Sequence, residues 1–225
     1  VKSSLSTAPV FPSPDLPSVF PTYPPGMGMP GALTTMAKSL DLNKGLLLSY
    51  DFSKSSEADI AEDLSGNSSH ATLHNVVPAG QNGLYFNGEN AYLEIAEANR
   101  LHADRALTIV GEFIPTCYAT KVWQNLVWKG NSPECTVNCE NREYSVWLNS
   151  GMFMHLTSTA EAGIGHGQTE LNTPGGGVTG RTHFAAVVDS DEGKMRVYFD
   201  GQKVAERAYS TSGIRTTTGP LLIGG

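Results

Sequence analysis

Charge is scarce in this sequence of 225 residues, of which Asp, Glu, Lys and Arg make up 16%, against roughly 25% in an average soluble domain. That excludes a coiled coil or a charged disordered chain. Basic residues number 15 against 22 acidic ones, for a net charge of −7. No Lys/Arg cluster offers a footprint for phosphates, so nucleic acid is not an expected partner. Long apolar runs are missing as well. None reaches the roughly 18 residues of a membrane span, and the sequence opens at Val1 without a basic-then-apolar leader, so a mature, soluble product is expected. Long segments rich in Ala, Leu, Glu and Lys are also absent, while 24 Gly and 13 Pro are present. This balance argues against helices and for many short strands joined by turns.

Cysteine is limited to three residues, Cys117 alone and Cys135 and Cys139 within the polar stretch SPECTVNCENRE. Three single pairings are open. Cys135–Cys139 is favoured, because a short loop between strands can bring the two Cβ atoms together while Cys117 follows an apolar, strand-like run. A zinc site competes with this reading, but it needs four ligands and no His or second CxxC stands nearby. A disulfide would imply an oxidising, extracytoplasmic setting.

Eight of the thirteen prolines lie in residues 1–31 with only two charged side chains, a composition that favours extended backbone and cannot build a core. Residues 1–44 are therefore expected to be an extended tail. Its spaced apolar residues suit docking on a neighbouring subunit, with Leu5, Val10 and Phe11 as anchors. From residue 45 to 225 the pattern becomes short apolar runs bounded by turn signals. These are LLLSYDF (46–52), ATLHNVV (71–77), GLYFNGENAYLEI (83–95), ALTIVGEFIP (106–115), VWQNLVWKG (122–130), EYSVWLNS (143–150), MFMHLTST (152–159), THFAAVVD (182–189), KMRVYFDG (194–201), QKVAERAYS (202–210) and PLLIGG (220–225). About ten to twelve strands are expected in one domain, with one face of each buried, as in two antiparallel sheets packed face to face. Gly66, Gly88 and Gly201 mark turns that need positive φ or close backbone approach. His183 is expected to bond backbone at a strand start, and Trp123, Trp128 and Trp147 to be core or sheet-face residues.

The order LLLSYDF, EDLSGNSSHATLHN, GLYFNGENAYLEI, ALTIVGEFIP, EYSVWLNS and THFAAVVDSDEGKMRVYFDGQKVA resembles the laminin-G-like, concanavalin-A-like jelly rolls of bacterial extracellular proteins, from about Leu46 to Gly225. The resemblance implies an all-β, two-sheet antiparallel sandwich with the Pro-rich segment as an N-terminal extension. Such domains usually continue past an LLIGG-like strand into one more apolar strand beside the first. Here the sequence stops at Gly225, so an open groove beside LLLSYDF is expected, one that a neighbour's tail could fill by strand addition. The same fold includes lectins and laminin-type modules that hold calcium, which implies Asp51, Asp63, Asn67 and Glu89 as candidate ligands, with Asp189 and Asp191 as a second acidic cluster. It also includes glucanases with an E-x-D-x-x-E strand, matched only by Glu57 to Glu62. That stretch reads as a polar loop without a cleft wall, so no catalysis is expected.

Asn67-Ser68-Ser69 is the one usable N-glycosylation sequon, since Asn131 and Asn172 stand in Pro-containing contexts. These features together predict a non-enzymatic extracellular or cell-surface structural protein, a homopolymer joined into a filament or surface array by its tail. The alternative is a calcium-dependent, carbohydrate-binding or adhesive lectin-like module, with Tyr118, Trp123, Tyr144 and Tyr209 as candidate sugar platforms.

Overall fold

In a computed structural model, the described residues are 44–54, 59–96, 99–115, 123–131, 142–161 and 168–225. The chain divides into units Val1–Leu40 and Asp41–Gly225, and everything described belongs to the second. The proposed anchors Leu5, Val10 and Phe11 lie outside the described residues, as do Cys117, Tyr118, Cys135 and Cys139.

The described residues form fourteen strands: β1 (Ile60–Ala61), β2 (Ala71–His74), β3 (Val77–Pro78), β4 (Leu84–Tyr85), β5 (Tyr92–Ile95), β6 (Ala106–Phe113), β7 (Trp123–Gly130), β8 (Arg142–Asn149), β9 (Phe153–Thr159), β10 (Gln168–Asn172), β11 (Thr182–Asp189), β12 (Lys194–Phe199), β13 (Gln202–Ala208) and β14 (Leu221–Gly224). An eight-stranded sheet runs β1-β2-β5-β14-β7-β8-β9-β10 and a four-stranded sheet runs β13-β12-β11-β6, with β3-β4 a short separate ribbon. Every ladder is antiparallel. The expected all-β sandwich is the fold observed.

Alternation along the strands builds the core between the sheets. Val146, Met154, Leu156 and Leu171 from the larger sheet meet Phe184, Ala186, Val188, Met195 and Val197 from the smaller. A second cluster, with Leu93, Ile95, Leu101, Tyr144 and Leu221 at its centre, extends the core along β5 and β14. The β12–β13 hairpin turns on Asp200 and Gly201 alone, with φ of 48° and 81°. Two successive positive φ values define the tight turn that matches strand twist, and an Asp-Gly pair adopts it readily.

LLLSYDF is not a strand. Residues 46–51 are irregular and Phe52–Lys54 is a single 3₁₀ turn, because the loop 63–69 takes the hydrogen bonds that a ladder would use. Ser49 N–H donates to Asp63 Oδ1, Leu64 N–H to Ser49 C=O, and Asn67 Nδ2 to the carbonyls of Leu46 and Leu47. Leu48, Tyr50 and Phe52 still pack against the second cluster, so the apolar alternation reported burial correctly and strand pairing incorrectly. The expected groove beside this segment therefore has no strand to border it.

Candidate functional site

The larger sheet has a second face, turned away from the core. On β8 and β9 the residues alternating with core positions are Ser145, Trp147, Phe153, His155 and Thr157. Glu170 and Asn172 of β10 stand opposite Thr157 and His155, on the same face.

Strict alternation would place Trp123 and Trp128 of β7 on opposite faces. A register shift between Asn125 and Val127 prevents this: Trp123, Asn125 and Trp128 stand opposite Asn149, Trp147 and Ser145, all outward. The extra residue, Leu126, packs with Val127 against the core. A second shift leaves Glu143 without a partner on β7 and pairs Arg142 with Gly130, which turns Arg142 outward too. One extra residue per bulge thus re-aims the side chains beyond it. The sandwich was legible from alternation, whereas this face depends on two interruptions of it.

The result is a connected aromatic and polar layer that is largely buried: Trp128, Ser145 and Thr157 are closed off from solvent, His155 and Asn125 nearly so, and Trp123 is exposed. Trp128 and Trp147 meet edge to face at 5.7 Å, and the Arg142 guanidinium lies over both rings at 5.3 and 5.5 Å. Such cation–π contacts hold a cation without a counter-ion in direct contact. Burial lowers the pKa of Arg142 and the charge of Glu170 raises it, burial being the larger effect. His155 bonds Asn172 through Nδ1, and Trp123 packs against His155 at 5.0 Å and Phe153 at 5.8 Å. Burial pushes the His155 pKa below 6.5 against the opposing pull of Asn172 and Glu170, which keeps the imidazole neutral near pH 7. Trp147 Nε1 donates to Ser145 Oγ, which is hydrogen-bonded to Thr157 Oγ1.

Among the described residues, four buried side-chain polar atoms have no hydrogen-bond partner: Asn125 Oδ1, Arg142 Nε, Thr159 Oγ1 and His74 Nε2. All four belong to this face, since His74 stands opposite Tyr92 in the row that continues across β5 and β2. His74 Nε2 has Glu94 Oε2 at 3.3 Å, outside hydrogen-bond geometry, and its ring stacks on Tyr92 at 4.4 Å. Leaving a polar group buried and unpaired costs about 1–3 kcal/mol, so their concentration on one face sets it apart.

The remaining candidates fare differently. Trp123 is 40% exposed at the rim of the face. Tyr144 and Tyr209 are corrected from sugar platforms to core residues: both are buried, Tyr144 Oη donating to Leu101 C=O and Tyr209 Oη bonding Ser158 Oγ. Asp63 is buried, and its carboxylate accepts from the amides of Ser49, Ser65 and Ser69 and from the Ser65 hydroxyl. Asp51 accepts from Ser53 and pairs with Lys54, and Asn87 rather than Glu89 organises its turn. Among the described residues no three His, Cys, Asp or Glu side chains gather as a metal site. The second acidic pair is likewise occupied, Asp189 by the Glu192 amide and Asp191 by Arg105. Asn67 is exposed, but the nitrogen that would carry a glycan already donates to two carbonyls. The His183 ring pairs with Glu112 Oε2 at 2.8 Å, not with backbone. Of the glucanase-like stretch, Asp59 and Glu62 are exposed beside β1 and Glu57 lies outside the described residues.

Two antiparallel sheets packed face to face define the class of jelly-roll β-sandwiches. Residues 86–225 match the concanavalin A-like lectin/glucanases superfamily, in its laminin G-like branch, and the chain belongs to that family. No curated protein sequence matches it. Among solved structures, the binding domain of paraclostridial mosquitocidal protein 1 aligns with a TM-score of 0.55 at 13% identity, over 80% of this chain and 44% of that one. The binding domain of botulinum neurotoxin DC in complex with SialylT gives 0.53 at 12%, over 80% and 44%. A structure titled for the dependence of botulinum neurotoxin type C cell entry on two ganglioside molecules gives 0.53 at 11%, over 81% and 43%. This chain spans less than half the length of each, and the likeness is one of fold. Among the described residues no helix is long and apolar enough to cross a membrane.

Proposed function

We propose that this chain is a lectin-like, non-catalytic carbohydrate-binding module acting at the cell surface or outside the cell, with its site on the outer face of β7–β10. The observation that carries this is the gathering of three tryptophans and three buried, unpaired polar atoms on that one face. Sugar rings present apolar faces that stack on aromatic side chains and hydroxyls that satisfy fixed donors and acceptors. Trp123 and Asn172 are the exposed entry points, and no hydrogen bond to a described residue engages the Asn172 amide nitrogen. The described carboxylates of the face, Glu94 on β5 and Glu170 on β10, are separated by five strand spacings, roughly 24 Å at about 4.8 Å each. A retaining glycosidase needs its pair about 5–5.5 Å apart, which supports a binding role over a hydrolytic one.

Glycan-array screening and calorimetry test this, with calcium and with a chelator. The expected result is binding that falls about tenfold or more in Trp123→Ala, with the circular dichroism spectrum unchanged. Failure to bind across neutral and acidic sugars in both conditions would overturn it. The filament reading has its anchors outside the described residues, and no described residue supports it.

A further inference from the structure

The four-stranded sheet ends in two edges of opposite character. At one, β13 carries Lys203, Glu206 and Arg207, all exposed, the kind of charged edge that discourages pairing with another chain. At the other, β6 is hydrogen-bonded only to β11, and its outer side has no ladder partner among the described residues. Nothing guards it. Val110 is 74% exposed at its centre, and its one charge, Glu112, is already held by Arg181 and by His183 at 2.8 Å.

The core also stops short along this edge. On β11 the inward residues Phe184, Ala186 and Val188 are buried, whereas Gly111, Ile109 and Leu107 opposite them on β6 are only half-buried. One more strand beside β6 would complete the burial of that row. The sequence of β6 also suits pairing with itself. In an antiparallel pairing centred on Val110, residues whose numbers sum to 220 face each other and each side chain keeps its own face of the sheet. Val110 then meets Val110, Ile109 meets Gly111, Leu107 meets Phe113 and Thr108 meets Glu112. Large residues oppose small ones near the centre and no like charges are opposed.

We infer that the outer edge of β6 is an interface between two copies of this chain, joined antiparallel through Val110 into one eight-stranded sheet across the dimer. Sheet extension of this kind uses main-chain hydrogen bonds for affinity and alternate side chains for register. It is independent of glycan binding and is read separately from it.

Sedimentation of the full chain over a range of concentrations tests the pairing. The expected result is a monomer–dimer equilibrium shifted to monomer in Val110→Lys, which places two ammonium groups opposite each other at an exposed position. Val110→Cys is expected to give a disulfide-linked dimer on a non-reducing gel, in excess of any the unchanged chain gives, while Thr108→Cys, facing Glu112 in this register, is not. A chain that stays monomeric at every concentration, equal cross-linking of the two cysteine variants, or open-ended polymers would each overturn the inference.

Discussion

Two carboxylates in this molecule are each surrounded by positive or proton-donating groups, one in the interior and one at the surface. Glu143 is wholly buried. It accepts from the amides of Ala103 and Thr217, from the Thr217 hydroxyl and from His102 Nδ1, with Lys129 Nζ at 3.6 Å. Lys129, equally buried, donates to the carbonyls of Thr217 and Gly219. The cluster therefore ties β7 and β8 to the loop that leads into β14. At Gly219 a Cβ atom would sit 1.9 Å from Gly130 O, so only glycine allows that loop so close. Glu206, by contrast, is exposed on β13 and receives Lys203, Lys194 and Arg196. The lesson is that the number of cationic neighbours does not set a carboxylate's importance. What matters is what happens to the partners when it is removed, and water replaces Glu206 but does not reach Lys129, Thr217 or the Ala103 amide, which are buried.

The largest expected effect follows from that difference. Glu143→Ala should destabilise the domain by about 3–5 kcal/mol, because it leaves a buried ammonium without its counter-charge and three buried donors without their acceptor; denaturant titration measures it, and a loss no larger than that of a surface substitution would break the comparison. Asp63 is an intermediate case, buried among four donors but with no cation in contact. Removing it in Asp63→Ala should cost about 1–3 kcal/mol and loosen residues 46–51, visible as faster amide exchange at Ser49 and Ser65. Burial alone would raise the Asp63 pKa, but the amides of Ser65, Ser69 and Ser49 together with the Ser65 hydroxyl hold it below 3.8. Its carboxyl thus ionises more readily folded than unfolded. The stability it contributes is complete above pH 3.8 and is lost as pH falls through the lower folded value.

The smallest effect belongs to the surface cluster. Hydrogen bonds from Lys203, Lys194 and Arg196 lower the Glu206 pKa from 4.5 to about 2, so whatever stability it contributes is present above pH 4.5 and fades towards pH 2. Because the group is exposed and screened, Glu206→Gln should leave the thermal midpoint at neutral pH nearly unchanged, and raising the salt concentration should erase the remainder. A large, salt-resistant shift in that variant would show that the exposed cluster does more than its solvation allows.

The same contrast explains what could be read from the sequence. Period-two runs such as THFAAVVD and KMRVYF gave strands 182–189 and 194–199 within a residue or two, because inside and outside differ in polarity at each step. QTELN passed unnoticed as β10, since Leu171 is its only apolar residue. Trp123, Trp128 and Trp147 were legible as strand residues, but not as one surface, because the bulges that gather them come from tertiary packing and leave no mark in local composition. Glu143 and Lys129 gave no signal either. A lone Glu beside Tyr and a lone Lys beside Trp look like exposed strand positions until the loop 217–219 is laid over them.

The place of β14 bears on the order in which the domain can assemble. Strands β5 and β7 do not pair with each other; Leu221 lies between Ile95 and Lys129, and among the described residues β14 is the strand that joins the β1-β2-β5 side of the sheet to the β7–β10 side. During synthesis the two sides emerge long before the four residues that join them. The loop closures they require span most of the domain, and such closures slow folding. Until LLIG arrives, each half presents a raw edge, and the nascent chain must be kept from pairing those edges with the wrong strands.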